Sequence, residues 1–154
     1  MRVVVQRAEK VCVSASENGL MKIRGRIGKG LVVLLGVEDE DGDEDIDYLV
    51  RKIVNMRIFN DSEGKMNLSV KDVKGGIAVV SQFTLHANTK KGNRPSFIRA
   101  ARPQHAEEMY DRFIQKIKGE CPDVICGVFG AYMKVDFVNE GPVTIIVDSK
   151  NREF

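Results

Sequence analysis

Short apolar runs rich in Val, Ile and Leu recur along the chain, and they have the length and composition of β-strands. Where apolar positions alternate with Lys and Arg, as in 20–27, the pattern predicts a strand with one exposed face. The turn residues Asn18-Gly19 predict that this strand forms a hairpin with the preceding one. The predicted strands are 2–8, 10–14, 20–27, 31–35, 56–59, 77–82, 124–129, 133–138 and 143–147.

Two longer stretches have the period of an amphipathic helix. The first follows the acidic stretch 38–47, which is interpreted as a solvated loop running into a helix N-terminus. The second begins near Pro103, which suits a first helical turn, and Gly119 is its predicted C-cap. Between the strands and this helix, 89–102 is predicted to be irregular and basic. Together these elements predict one strand-rich α/β domain spanning 1–154. The apolar stripes of the helices are 46, 49, 50, 53 and 54, and 106, 109, 110, 113, 114 and 117.

Composition narrows the class of protein. With 43% hydrophobic and 30% charged residues among 154, an ordinary globular domain is expected. A net charge of +2 is too small for a broad nucleic-acid binder, so any RNA contact must come from local basic clusters. The longest apolar run, 31–37, is too short to cross a membrane, and a cytoplasmic location is expected. Three cysteines and two histidines form neither a disulfide framework nor a zinc-binding pattern.

The segment Ser81-Gln82-Phe83-Thr84-Leu85 is the first candidate site. A predicted buried strand ends here in two hydroxyls and an amide, and strand ends are where α/β proteins place ligand groups. Ser81 or Thr84 could act as a nucleophile if a base lay beside it, and His86 is the nearest in sequence. The alternative, which the residues alone favour, is that these hydroxyls satisfy the backbone of a turn.

The second candidate is Asn139-Glu140-Gly141-Pro142-Val143-Thr144. Gly-Pro between two strands is normally a turn. However, glycine permits a close backbone approach, and a bond to proline is the one kind of peptide bond with an accessible cis form. A cis Gly141-Pro142 bond would turn two carbonyl groups to one side and could form a rigid acceptor site.

These two segments match the signature motifs of a known protein family. The chain resembles the D-aminoacyl-tRNA deacylase family, whose signature motifs read Ser-Gln-Phe-Thr-Leu and Asn-x-Gly-Pro-Val-Thr, and both occur here in the family's order. The resemblance covers essentially the whole length, and Glu140 departs from it mildly because Asp is common there. Other matching segments are 5–7, 52–53, 57–59, 64–67, 91–97 and 129–133.

The resemblance implies the family's three-layer α/β fold and a homodimer with active sites at the subunit interface. It implies that Gly141 and Pro142 form a cis peptide that enters the partner's pocket and leaves no room for an L side chain, so that glycyl esters are also accepted. The reaction would be hydrolysis of the ester between the amino acid and the 3′-terminal adenosine of tRNA. No metal and no cofactor is implied.

The resemblance also assigns roles to residues. Ser81, Gln82 and Phe83 would line the pocket, with the Phe83 backbone N–H as an oxyanion donor. Thr84 is a candidate nucleophile, and the alternative is attack by water assisted by the 2′-hydroxyl of the RNA; we predict that Thr84→Ala keeps most activity. Arg7 and Met133 would support the Gly-Pro element or the pocket wall, beside Asn139 of the second motif.

The basic segment gains a possible role through the same resemblance. The segment contains Lys90, Lys91, Arg94, Arg99 and Arg102, which could hold phosphates, and Phe97 among them could stack on the terminal adenine. For any one of these basic residues, a solvated loop is an equal alternative. Two further functions stay open: a non-catalytic nucleic-acid-binding module, and a hydrolase of small D-aminoacyl compounds.

Overall fold

The protein was analysed as a computed structural model that describes residues 1–153; Phe154, the last residue of the predicted domain, lies outside the described residues. The elements are β1 (Arg2–Glu17), β2 (Leu20–Ile27), β3 (Gly30–Gly36), α1 (Asp43–Asn55), β4 (Phe59–Asn60), β5 (Met66–Leu68), β6 (Gly76–Ser81), a 3-10 helix (Phe83–His86), α2 (Pro103–Glu120), β7 (Val124–Cys126) and β8 (Met133–Asp148). The expected strand-rich α/β architecture with two long helices is confirmed.

Strand β1 organises the main sheet. Its first half pairs with β3 and its second half with β2, while β8 runs antiparallel to it along nearly its full length. The change of partner occurs at Lys10, whose φ of 54° bends the chain and whose N–H donates to the Gly28 carbonyl. Beyond β3, the parallel strands β6 and β7 complete the sheet, so that β6 is covered on both edges. This central place fits its continuous apolar sequence.

The apolar positions of the sheet face two separate clusters. The larger cluster lies between the sheet and the two helices, and it contains the predicted stripes of α1 and α2, including Phe113, together with Phe59 of β4. The smaller cluster, which includes Val13 and Val80, lies on the opposite face, where β2 contacts β6 and β7. Within residues 1–153, no helix is long and apolar enough to cross a membrane.

Several predicted boundaries are wrong, and pairing explains the largest error. The predicted strands 133–138 and 143–147 are one strand, and so are 2–8 and 10–14. These two long strands pair through the supposed Asn139–Pro142 turn, because shifts of register absorb the extra residues as bulges.

The other corrections are smaller. The predicted strand 56–59 shrinks to the two residues of β4, and 124–129 ends at Cys126. Gly119 is not a C-cap, because α2 continues to Glu120 and its last turn is closed by the Cys121 N–H donating to the Ile117 carbonyl. Short strands at an edge are poorly specified by local sequence, since their ends depend on the neighbouring strand.

Candidate active site

A cavity of about 650 Å³ opens at the end of β6, beside the segment Ser81–Phe83. One wall is formed by β3, β6 and β8, through Leu34, Val80 and Val135, and the opposite wall by α2 and the residues after β7. Its lining is mostly apolar with a few polar groups, which is typical of a small-molecule site. The cavity therefore coincides with the first sequence motif.

The first motif is held rigidly by the backbone around it. The Gln82 N–H donates to the Leu35 carbonyl at 2.7 Å, which ties the motif to the end of β3. The Gln82 side-chain amide donates to Thr84 Oγ1 at 2.6 Å, and the Leu85 N–H donates to the Gln82 carbonyl. Ser81, Gln82 and Phe83 line the cavity, whereas Thr84 is not among its lining residues.

Two more predicted residues reach the same cavity. The Phe97 ring meets the Phe83 ring edge to face, with centroids 5.1 Å apart, and both rings are partly exposed at the cavity mouth. Met133 lines the wall, and its sulfur lies over Gly127, where an added Cβ would be 2.4 Å from it. Any other residue at 127 would displace this side chain from the wall.

A base for Thr84 is not evident in the described part of the chain. His86 is buried, and its ring packs on Gly36 and lies 3.4 Å from Glu38, measured from Nδ1 to Oε1. Neither ring nitrogen makes a hydrogen bond with residues 1–153. Thr84 instead accepts a hydrogen bond from Gln82, so residues 1–153 offer no proton acceptor that would activate its hydroxyl.

The second motif lies elsewhere on the chain. The Gly141–Pro142 peptide bond is cis, as the resemblance implies, and both residues are exposed and absent from the cavity lining. Gly141 has a φ of 124°, a conformation that favours glycine, and a Cβ there would lie 3.0 Å from Arg7 Nη2. Asn139 Nδ2 donates to Thr144 Oγ1 at 3.4 Å across the bulge.

Arg7 fastens this second motif to the core. Its guanidinium is buried and donates to the Ile58 carbonyl at 2.7 Å and to the Glu140 carbonyl at 3.2 Å. It also forms an ion pair with the Glu140 carboxylate at 2.8 Å. The predicted site residues thus lie in two separate places. Ser81, Gln82, Phe83, Phe97 and Met133 lie at the cavity, whereas Asn139, Gly141 and Pro142 lie on the surface of β8 with Arg7 behind them.

Comparison with known proteins identifies the chain. A family model described as D-Tyr-tRNA(Tyr) deacylase matches residues 4–148. The chain belongs to this deacylase family. It is accordingly an enzyme, a hydrolase of D-aminoacyl-tRNA.

Two solved structures resemble the deacylase closely in fold. One is described as the c-Myc DNA Unwinding Element Binding Protein, with 39% sequence identity, a TM-score of 0.87, and coverage of 96% of this chain and 98% of the other. The second is described as a probable eukaryotic D-amino acid tRNA deacylase, with 22% identity, a TM-score of 0.78, and coverage of 94% and 97% respectively. At that identity the second comparison shows a shared fold.

The basic segment of the deacylase is exposed near the cavity mouth. Lys90, Lys91 and Arg94 are exposed, and the segment is held by a bridge in which Asn88 and Ser96 exchange both backbone hydrogen bonds. Phe97, three residues after Arg94, lines the cavity, so the basic segment leads directly into the cavity lining.

Three residues near the deacylase cavity were not singled out by sequence analysis. Tyr110 is a buried core residue, as predicted, and it also lines the cavity, with its hydroxyl donating to the Val79 carbonyl. Burial, above all, raises the pKa of this phenol. Tyr132 is exposed at the cavity mouth and lies in 129–133, one of the segments that match the deacylase family. Glu38 was assigned to a solvated acidic stretch, and no local signal marked it as different.

Proposed function

We propose that this deacylase is a chiral proofreading enzyme, which hydrolyses D-aminoacyl and glycyl esters of tRNA and leaves L-aminoacyl esters intact. The observation that supports this most strongly is the separation of the two motifs. Ser81–Phe83 lie at the cavity, whereas Gly141 and Pro142 are exposed on β8 and do not line it. A site that needs both motifs is then completed by a second copy of the chain.

The proposed assembly is a homodimer with an active site at each interface. Among residues 1–153, β8 pairs with β1 alone, so its other edge keeps unpaired N–H and C=O groups, and an uncovered edge strand of this length is a template for association. Val138 and Ile146 are exposed apolar residues on the same strand. Contact between two copies through this region would bury them and bring Gly141–Pro142 of each copy to the other's cavity.

Selection in this proposal works by exclusion. The Gly141 and Pro142 carbonyls would face the α-carbon of the bound aminoacyl group and occupy the space that an L side chain needs. A clash rejects every L side chain whatever its chemistry, and backbone anchored by Arg7 cannot swing away from it. Glycine has no side chain to reject, so glycyl-tRNA is expected to be a substrate.

The proposed chemistry needs no protein nucleophile. Water adds to the ester carbonyl carbon with its proton taken up through the 2′-hydroxyl of the terminal ribose, and the Phe83 N–H donates to the oxyanion that forms. Collapse of this intermediate breaks the bond between the carbonyl carbon and the ribose 3′-oxygen, which leaves with a proton. The products are the free amino acid and intact tRNA.

RNA binding is assigned to the exposed basic segment. Lys90, Lys91 and Arg94 would contact phosphates of the acceptor end, and Phe97 would stack on the terminal adenine at the cavity mouth. We also place the enzyme in the cytoplasm, where aminoacyl-tRNA is its substrate.

The decisive experiment is single-turnover deacylation of D-tyrosyl-, L-tyrosyl- and glycyl-tRNA with purified protein. Fast loss of the D and glycyl esters with the L ester untouched is expected. Equal loss of D and L esters would contradict the exclusion model while leaving an esterase. Rapid hydrolysis of free D-tyrosine esters would favour an enzyme acting on small D-aminoacyl compounds.

A second candidate function is nucleic-acid binding without catalysis. It is favoured by the similar structure described as a DNA unwinding element binding protein, at 39% identity. The net charge of +2 counts against it, because such binding depends on neutralising many phosphates. Binding of duplex DNA at physiological salt, with no hydrolysis of any aminoacyl-tRNA, would support this second candidate instead.

A further inference from the structure

Glu38, just beyond the end of β3, does not line the cavity, but it contacts one residue in each of two segments that do contribute to the lining. Its Oε1 accepts a hydrogen bond from Arg99 Nε at 3.1 Å and forms an ion pair with Arg99 Nη2 at 2.9 Å. The same oxygen is 3.4 Å from Nδ1 of the buried His86. The carboxylate is mostly buried, with 16% of its side chain exposed, so it is held between the two groups rather than solvated.

His86 directly follows the first motif and shares a helix with it. His86 is the last residue of the 3-10 helix that begins at Phe83. Its ring fits against Gly36, where an added Cβ would lie 2.9 Å from the ring carbon Cδ2, and the adjacent Leu85 carbonyl accepts a hydrogen bond from Arg2. The far end of this helix is therefore held by the packing of His86 on Gly36 and by the Arg2–Leu85 bond, with the Glu38 carboxylate 3.4 Å from the His86 ring.

Arg99, the other residue in contact with Glu38, belongs to the segment 97–102, which begins at Phe97. This segment is joined to the chain around Glu38 by two more bonds: the Ala101 N–H donates to the Val37 carbonyl, and the Arg102 N–H donates to Asp39 Oδ1. Phe97 and Phe83 touch at the mouth itself. The two segments thus approach each other twice: at the cavity lining through the Phe83 and Phe97 rings, and outside the lining on either side of the Glu38 carboxylate.

We propose that Glu38 is a positioning residue for the deacylation, holding the Phe83–His86 helix and the Phe97–Arg102 segment in fixed relation across the mouth of the cavity. The inference rests on the proposed function, in which Phe83 donates to the oxyanion and Phe97 contacts the terminal adenine. Loss of the contact with the helix would misalign the Phe83 N–H and lower kcat. Loss of the contact with Arg99 would loosen Phe97 and raise KM.

Arg99 allows these effects to be separated from stability. Its side chain is 62% exposed, and an ion pair made by such a group contributes little to the free energy of folding. A rise in KM for Arg99→Gln would then not come from partial unfolding. The double variant with Glu38→Ala separates loss of the ion pair from loss of a direct phosphate contact by Arg99, because only a phosphate contact would add to the effect of Glu38→Ala. Asp47→Asn is a matched control, because it also removes an ion pair, with Lys116 on the facing helix, and Asp47 does not line the cavity.

The experiment measures kcat and KM for D-tyrosyl-tRNA with Glu38→Ala, Glu38→Gln, Arg99→Gln, the double variant Glu38→Ala/Arg99→Gln and Asp47→Asn. Arg99→Gln is expected to raise KM about threefold and to leave kcat unchanged. Glu38→Ala is expected to lower kcat about tenfold and to raise KM by the same factor as Arg99→Gln. The double variant should match Glu38→Ala in both constants, because the ion pair that Arg99→Gln removes is already absent from Glu38→Ala. Glu38→Gln keeps an acceptor oxygen and should restore part of kcat.

Several outcomes would overturn the proposal. Wild-type kinetics for Glu38→Ala, or additive effects on KM in the double variant, would show that Glu38 does not join the two segments. If Glu38→Ala does not fold, Arg99→Gln decides, and an unchanged KM refutes the inference. Failure of the wild-type enzyme to act on D-tyrosyl-tRNA would instead contradict the proposed function, so the two failures are distinguishable.

Discussion

Replacing Arg7 with methionine tests how firmly the second motif is anchored. Methionine keeps most of the apolar stem of the side chain but removes the guanidinium. The change leaves the Ile58 carbonyl, which accepts from Nη1 at 2.7 Å, without this donor in a buried place. It also removes the 3.2 Å bond to the Glu140 carbonyl and the ion pair with the Glu140 carboxylate, which is partly exposed and contributes less.

The expected cost follows from these contacts. An unsatisfied buried carbonyl costs about 1–3 kcal/mol, and a lost charge-assisted bond adds about 1 kcal/mol, so the free energy of unfolding should fall by about 2–4 kcal/mol. For a domain of this size the Tm should drop by about 5–15 °C. Because Glu140 precedes Gly141, hydrolysis of L-tyrosyl-tRNA should also become detectable.

Urea unfolding followed by circular dichroism measures the first effect, and single-turnover assays measure the second. Arg24→Met is the matched control, since Arg24 is exposed and pairs with the surface residue Glu17, and it should unfold like the wild type. If Arg7→Met were as stable as Arg24→Met, the buried guanidinium would not anchor the second motif, and the reasoning from its contacts would be refuted.

Three other expectations follow from the structure. Thr84→Ala should keep most of its kcat for D-tyrosyl-tRNA, because Thr84 accepts from Gln82 and does not line the cavity; a loss of several orders of magnitude would restore it as the nucleophile. The triple variant Lys90→Ala/Lys91→Ala/Arg94→Ala should weaken tRNA binding and reduce the slope of log K against log salt by about 2, which binding titrations would show, whereas an unchanged slope would place the RNA elsewhere. Burial raises the pKa of Asp148, but hydrogen bonds from the backbone N–H groups of Lys150 and Asn151 and the contact with Arg2 lower it overall. The ionised carboxylate therefore stabilises the folded state fully at pH values above 3.8, the ordinary pKa of an aspartate. This stabilisation is lost as the pH falls through the lower pKa of the folded state. Urea unfolding between pH 2 and 5 should therefore depend less on pH for Asp148→Asn, and an unaltered dependence would contradict that assignment.

The helices and buried strands could be predicted from sequence because their signals are local. The stripe from Ala106 to Ile117 repeats with the helical period, and each of its apolar members is buried in α2. The run Leu31–Leu35 and the run that ends at Val80 are continuous and apolar, and the structure places both inside the sheet. In such segments the burial pattern is set by neighbours three or four positions away at most.

Features that depend on distant residues could not be predicted in this way. Asn139–Pro142 has the composition of a turn, yet it continues β8 because the long partner strand β1 supplies hydrogen bonds on both sides of it. Glu38 lies in an acidic run typical of a surface loop, and its burial is decided by His86 and Arg99, which are 48 or more positions further along the chain. No local pattern carries that information.

The candidate site shows the same limit at a larger scale. Each of its motifs is contiguous in sequence, so each could be found by reading residues 81–85 and 139–144. Their spatial relation is a different matter, because the described chain places the first at the cavity and the second on the surface of β8. If both act on one aminoacyl group, the distance that matters joins residues of two copies, and neither sequence nor the fold of one chain contains it. Catalysis should then depend on protein concentration wherever the copies dissociate, and this dependence would separate a shared site from one built within a single chain.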